Sequence, residues 1–117
     1  MDRPPITTQT FRDDTLVVNP GRMLDNDNAQ EMVDIVSSAL ERGYRFVIVD
    51  MADLEFLSSA GVGSILGTVE SLREAGGDLI LCNLSTTIEH ILKVLDLAEY
   101  LTTHVNRDHA EAACKSS

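Results

Sequence analysis

The residues best placed to do chemistry lie between 50 and 63: Asp50, Asp53 and Glu55, followed by Ser58, Ser59, Ala60, Gly61, Val62 and Gly63. Phe46, Val47, Ile48 and Val49 precede them and read as a strand covered on both faces. The chain thus leaves a buried strand, crosses a short acidic loop and brings two serines to the start of a helix. Open α/β sheets place their working surfaces at the carboxyl ends of strands. A helix N-terminus offers free N–H groups and partial positive charge to an anion. A serine there could accept a phosphoryl group that settles on those donors. The same spacing also suits a plainer arrangement, one serine capping the helix and the other solvated, because Ser is a preferred N-cap.

Other chemistries lack a required residue. Gly61 and Gly63 are followed by Ser64-Ile65-Leu66, so the third glycine of a dinucleotide fingerprint is missing, and no Gly-Lys-Ser/Thr closes a phosphate loop. Small residues at 61, 63 and 67 read instead as room for the helix to approach its neighbours. Neither Ser58 nor Ser59 has the glycine two residues before it that a nucleophile elbow needs. His90, His104 and His109 read as solvated side chains, with His104 and His109 five residues apart across a strand-to-helix junction. No residue cluster has metal-ligand spacing. A phospho-accepting Asp50 would need further carboxylates for Mg²⁺ and a lysine after a later strand. The early strands end instead in Asn19-Pro20-Gly21, and Cys82 is followed by Asn83-Leu84-Ser85.

The elements that must position these residues follow from the hydrophobic pattern. Residues 6–11 and 15–19 are weak strand signals joined at Asp13-Asp14, an edge hairpin closed by Pro20-Gly21. A helix starts near Asn28, with Glu31 completing a capping box, Val33, Val36 and Leu40 forming the stripe and Gly43 the stop. A second spans about 59–75, with Val62, Ile65, Leu66, Val69 and Leu72 on one face and Gly76-Gly77 after it. Residues 79–82 form a buried strand. Thr86 and Glu89 read as the capping box of a third helix carrying Ile88, Ile91, Leu92 and Leu95. A strand at 102–105 leads to a short helix capped by Asp108 and Glu111. The order β-β-α-β-α-β-α-β-α predicts an α/β fold, a mixed but mostly parallel sheet with an edge hairpin and about four helices.

Length and charge bound the partners. The 117 residues suit one domain, with a core over about 6–113 and loose ends at 1–5 and 115–117. Apolar residues make up 44% and charged residues 24%, enough for a packed core and too apolar for wholesale disorder. Nine Lys+Arg against nineteen Asp+Glu give a net charge of −10, which argues against nucleic acid and an anionic membrane surface as partners. No apolar run approaches a bilayer span and the N-terminus lacks a secretory pattern, so a cytoplasmic location is expected. Cys82 and Cys114 are too few and too far apart for a disulfide framework or zinc site; Cys82 reads as buried and Cys114 as part of a frayed end.

The element order and the Ser-x-Gly-x-Gly helix start resemble the STAS domain, specifically the anti-sigma factor antagonists. Ser58 to Gly63 lies over the family signature Asp-Ser-Ser/Thr-Gly-Leu-Gly. Gly21-Arg22-Met23-Leu24-Asp25 with Asn28-Ala29 resembles its Gly-Arg-Leu-Asp…Asn/Thr-Ala run, with about one extra residue. Residues 88–101 resemble its last long helix and the turn into the closing strand, and the likeness extends over 8–113. It implies a protein-binding switch with no cofactor and no catalysis. Ser59 takes the place of the phosphorylated serine, with Ser58 as second choice. Asp25, Asn28, Asp53, Ser58, Ser59, Ala60, Gly61, Val62 and Gly63 form the implied partner face. The implied partners are an anti-sigma factor with serine kinase activity and a serine phosphatase, the chain itself being a monomer or weak dimer. Helix N–H groups around Gly61 to Gly63 would hold the phosphate, and Asp50, Asp53 and Glu55 would make a shared surface more repulsive. Ser58 departs from the usual Asp and Ala60 from the usual Ser or Thr. The alternatives are an unswitched STAS scaffold of stressosome or transporter type and, more remotely, a serine hydrolase.

Overall fold

The computed structural model describes residues 6–114; the ends expected to be loose, 1–5 and 115–117, lie outside the described residues. In chain order the elements are β1 (Thr7–Arg12), β2 (Thr15–Asn19), β3 (Met23–Leu24), α1 (Ala29–Glu41), β4 (Phe46–Asp50), β5 (Phe56–Leu57), α2 (Ser59–Glu74), β6 (Asp78–Cys82), α3 (Thr86–Val94), β7 (Thr102–His104) and α4 (Arg107–Ala113). The main sheet has the order β1-β2-β4-β6-β7. Only β1 is antiparallel to its neighbour, as the hairpin at Asp13-Asp14 requires. The other pairings are parallel, with Leu16 opposite Val47 and Val47 opposite Leu79.

Successive side chains of a strand point to opposite faces, and here both faces are apolar. Leu16, Val18, Val47, Val49, Leu79 and Leu81 point to one side. Met32, Val36 and Ala39 of α1, Ile65, Val69 and Leu72 of α2, and Ile88 and Leu92 of α3 cover them. Val17, Ile48, Ile80 and Cys82 point to the other side, where Ala110 and Cys114 cover them. The strands are therefore sandwiched, three helices against one. Burying each of these aliphatic side chains contributes about 1.5–3 kcal/mol, so the three-helix face dominates stability. The small apolar contact of α4 is supplemented by polar ties to the hairpin: Arg12 donates to the Cys114 carbonyl and Arg107 donates to Gln9 at 3.1 Å, while Glu111, one turn along α4, holds Arg107 at 2.8 Å.

Several details differ from the sequence-based expectation. Two short strands, β3 and β5, pair parallel as a separate sheet; two residues are too few to carry a period. On α1 the inward residue is Met32, with Val33 only half-buried, because packing chose between adjacent apolar positions. Asn28 occupies the N-cap position without capping, its side chain turned back to the preceding loop. Ser85, not Thr86, caps α3 by accepting from the Ile88 N–H at 3.1 Å. Asn106, not Asp108, caps α4 through the His109 N–H at 2.9 Å. In both helices the residue with extended backbone takes the cap, since only that geometry turns the side chain onto the exposed N–H groups.

Cys114 is not frayed: it is 1% exposed and packs beside Cys82 under α4. Burial, aided by the Asp50 carboxylate and opposed by Arg107, pushes the Cys82 thiol up from 9.0 to about 12. Burial does the same to Cys114, up to about 11, with Arg12 opposing. A thiol held protonated is a poor nucleophile. Neither should react with a thiol reagent at pH 8 in the folded protein, and both should react once urea unfolds it. The unfolded chain loses its thiol protons first as pH rises. The associated stability is therefore complete below about 9 and disappears between 9 and 12. A urea midpoint that falls from pH 8 to pH 10.5, and falls less in Cys82→Ala, would show it.

Candidate functional site

The 51–58 connection after β4 is held from inside by three apolar anchors at a spacing of three. Met51, Leu54 and Leu57 are buried, while Asp53, Glu55 and Phe56 between them are exposed. Its start is tied to the next strand: Met51 N–H donates to the Cys82 carbonyl at 2.9 Å, and the Asn83 amide donates to Asp50 at 3.0 Å. Asn83 reaches it from a left-handed backbone (φ 58°), a conformation that Asn tolerates better than most residues. Asp50 also accepts from the Ala52 N–H at 3.1 Å.

The end of the connection is tied to β3. The Arg22 carbonyl accepts from the Glu55 N–H at 2.7 Å and from the Phe56 N–H at 3.1 Å. The Leu24 carbonyl accepts from the Ser58 N–H at 3.0 Å. That same oxygen occupies the space a side chain at 61 would need, and a Cβ on Gly61 would also lie 2.9 Å from Leu57 Cδ1. The first turn of α2 therefore rests directly on the β3 backbone. Gly63 and Gly67 have open space instead, so close approach explains Gly61 alone of the three.

The two serines diverge. Ser58 is half-buried and caps α2: its Oγ accepts from the Gly61 N–H at 3.2 Å, and its carbonyl accepts from the Val62 N–H at 2.9 Å. Ser59, the first helical residue, is exposed, and its hydroxyl makes no hydrogen bond among the described residues. With the Gly61 and Val62 N–H groups already bonded to Ser58, the donors left open at this helix start are those of Ser59 and Ala60. The Gly61 and Val62 N–H groups, expected from the sequence to face an anion, are therefore already engaged.

The other expected face residues separate into inner and outer sets. Asn28 is 2% exposed; it accepts from the Asp25 N–H at 2.9 Å and donates to the Met23 carbonyl at 2.8 Å, clasping the turn after β3. Gly61 is buried, and Ala60 and Val62 are half-buried. Asp25 follows Leu24, whose partner in register is Leu57, so Asp25 stands alongside Ser58. Asp53 is exposed and accepts from the Asn19 amide at 3.1 Å. Gly63 is exposed on α2. Glu55 pairs with Arg22 at 3.0 Å, and that hydrogen bond, then the charge attraction, holds the guanidinium above its usual range. A cavity of about 440 Å³ lies between Gly21, Arg22, Ala52, Asp53 and Glu55.

Two residues at this face escaped the sequence reading. Met23 and Phe56 are opposite each other in the small parallel sheet and are 40% and 52% exposed. The out-in alternation Met23-Leu24 and Phe56-Leu57 is their only local signal. No histidine is bonded to either serine among the described residues; all three surround a different cavity. Gly61→Ala should destabilise the fold by about 1–3 kcal/mol through overpacking. Gly63→Ala should leave stability unchanged or raise it by up to about 1 kcal/mol, as in an open helix interior. Urea denaturation of the two variants checks this, and equal midpoints would contradict the clamp.

Comparison with known proteins agrees with this geometry. The STAS domain family matches residues 7–112. BtrV of Bordetella bronchiseptica, provisionally named an anti-sigma factor antagonist, is 25% identical over 95 residues, 81% of this chain and 82% of that protein. The anti-sigma-B factor antagonist of Staphylococcus aureus is 24% identical over 97 residues, 83% of this chain and 88% of that one. The solved structure of the anti-sigma factor antagonist SpoIIAA in its unphosphorylated form superimposes with a TM-score of 0.80 at 21% identity, covering 92% of this chain and 95% of its own. A mixed sheet with four helices, an exposed serine at the start of the second and a family match over nearly the whole described chain lead to one assignment: this chain belongs to the STAS domain family.

Proposed function

We propose that this protein is an anti-sigma factor antagonist. Its unphosphorylated form binds an anti-sigma factor with serine kinase activity, phosphorylation of Ser59 ends the contact, and a serine phosphatase resets it. The observation that carries the reading is the division of labour between the serines. Ser58 satisfies the cap, as a family Asp would, and Ser59 is left exposed with an uncommitted hydroxyl. Its Oγ attacks the γ-phosphorus of ATP, ADP leaves and the hydroxyl proton is lost to solvent or a kinase base. The relatives named above support the partner class.

The contact face consists of Asp25, Asp53, Ser59, Val62 and Gly63, with the apolar pair Met23 and Phe56 supplying area that a partner can bury. Half-buried Ala60 lies at its margin, and Asn28, Ser58 and Gly61 shape it from beneath. A phosphate adds about −1.5 to −2 charge and three acceptor oxygens. The open N–H groups of Ser59 and Ala60 accommodate it within the domain, so the fold survives. A partner docking there must desolvate the dianion beside the acids of the 51–58 connection, and binding weakens. The reading places the chain in the cytoplasm as a binding switch rather than a catalyst.

With the cognate kinase and ATP, mass spectrometry should locate one phosphate on Ser59, absent from Ser59→Ala. By calorimetry Ser59→Ala should retain partner affinity, and Ser59→Asp should lose about tenfold or more, about 1.4 kcal/mol. Phosphate on Ser58, or equal dissociation constants for the two variants, would overturn the switch. A partner that binds but never phosphorylates the chain in the presence of ATP would point to the scaffold alternative. Labelling of either serine by a fluorophosphonate would point to the hydrolase.

A further inference from the structure

A cavity of about 640 Å³, separate from the serine face, opens between α3, the end of β7 and α4. All three histidines of the chain line it, one from each element: His90 on α3, His104 on β7 and His109 on α4. His90 is separated from the other two by the turn after α3, and the pairing of β7 with β6 and the return of α4 bring it alongside His104 and His109. Lys93 joins them, and Glu89 is the only acid in the lining. In a chain of net charge −10 with its histidines neutral, this lining balances Lys93 against Glu89 and becomes cationic when the histidines are protonated. Leu84, Leu92, Ala98 and Val105 supply apolar wall. The volume lies in the range of small-molecule sites, which combine apolar lining with a few convergent polar groups.

We propose that this cavity binds a small amphiphilic carboxylate, its head group held by Lys93 and the histidines and its apolar part against Leu84, Leu92, Ala98 and Val105. Charge complementarity selects an anion. The described residues contain no group of three or more His, Cys, Asp or Glu able to hold a metal ion, so the lining does not suit a metal. Histidine is the side chain that changes charge between about pH 5 and 8. The groups facing the head group are Glu89, His90 and Lys93 from α3, His104 from β7 and His109 from α4. Bound anion favours the imidazolium forms, so affinity rises as pH falls and binding takes up protons. None of this depends on the Ser59 switch.

Octanoate is the probe, titrated into the full chain and followed by calorimetry and by histidine side-chain NMR at pH 6 and pH 8. Octanoate should shift the signals of His90, His104 and His109 and bind roughly tenfold or more tightly at pH 6. Lys93→Gln and His109→Gln, both at exposed positions, should each weaken it severalfold while the urea midpoint stays unchanged. Octanol should bind no more tightly than to the variants, and inorganic phosphate much more weakly than octanoate. No binding of octanoate, affinity indifferent to pH and to both variants, or equal affinity for octanol would overturn the proposal. Tighter binding of phosphate than of octanoate would also overturn it.

Discussion

The serine face depends on a single backbone oxygen. The Leu24 carbonyl accepts the Ser58 N–H and fills the space where residue 61 would carry a side chain. The two constraints together set how close the first turn of α2 lies to β3 and which way it faces. Ser58 is then committed to the cap. The next residue lies about 100° further around the helix, which carries the Ser59 side chain out to solvent. A residue with a side chain at 61 would lift this turn from its support and loosen the cap and the hydroxyl together.

The surrounding acids are arranged by the same economy of anchoring. Met51, Leu54 and Leu57 point inward and leave Asp53, Glu55 and Phe56 outside. The acids are then satisfied individually, Asp50 by Asn83, Asp53 by Asn19 and Glu55 by Arg22. The one ion pair among them, Arg22 with Glu55, is exposed and contributes little to stability. Their consequence is local: the loop holds a defined shape beside an apolar pair, Met23 and Phe56, that a partner could cover. The carboxyl ends of the strands thus support two surfaces of different character, an acidic one with a hydroxyl after β4 and a histidine-lined cavity after β7.

Much of the architecture was legible because burial on both faces leaves a continuous record. Phe46 to Val49 and Leu79 to Cys82 are uninterrupted apolar runs, and the helices between them carry stripes ended by glycine. Serine was legible at the helix start for a chemical reason, its aptitude for capping. Adjacent candidates were the difficulty. Ser85 next to Thr86, Asn106 near Asp108 and Met32 beside Val33 are locally equivalent, and backbone direction or packing chose between them. Strands β3 and β5 left only a single out-in step each, too short to establish a period, because each has two residues.

Residue order alone was enough for the alternation of strands and helices, the acidic surface and the placement of two serines at the mouth of α2, since these follow from local hydrophobicity and helix-end chemistry. Tertiary structure decided which serine is occupied and which is open, that Gly61 rather than Gly63 is sterically required, that Cys114 is core, and that histidines from three different elements share one cavity. Each of those depends on contacts between segments remote in sequence, and pairing across such distances is set by the packing of the whole sheet rather than by any local pattern.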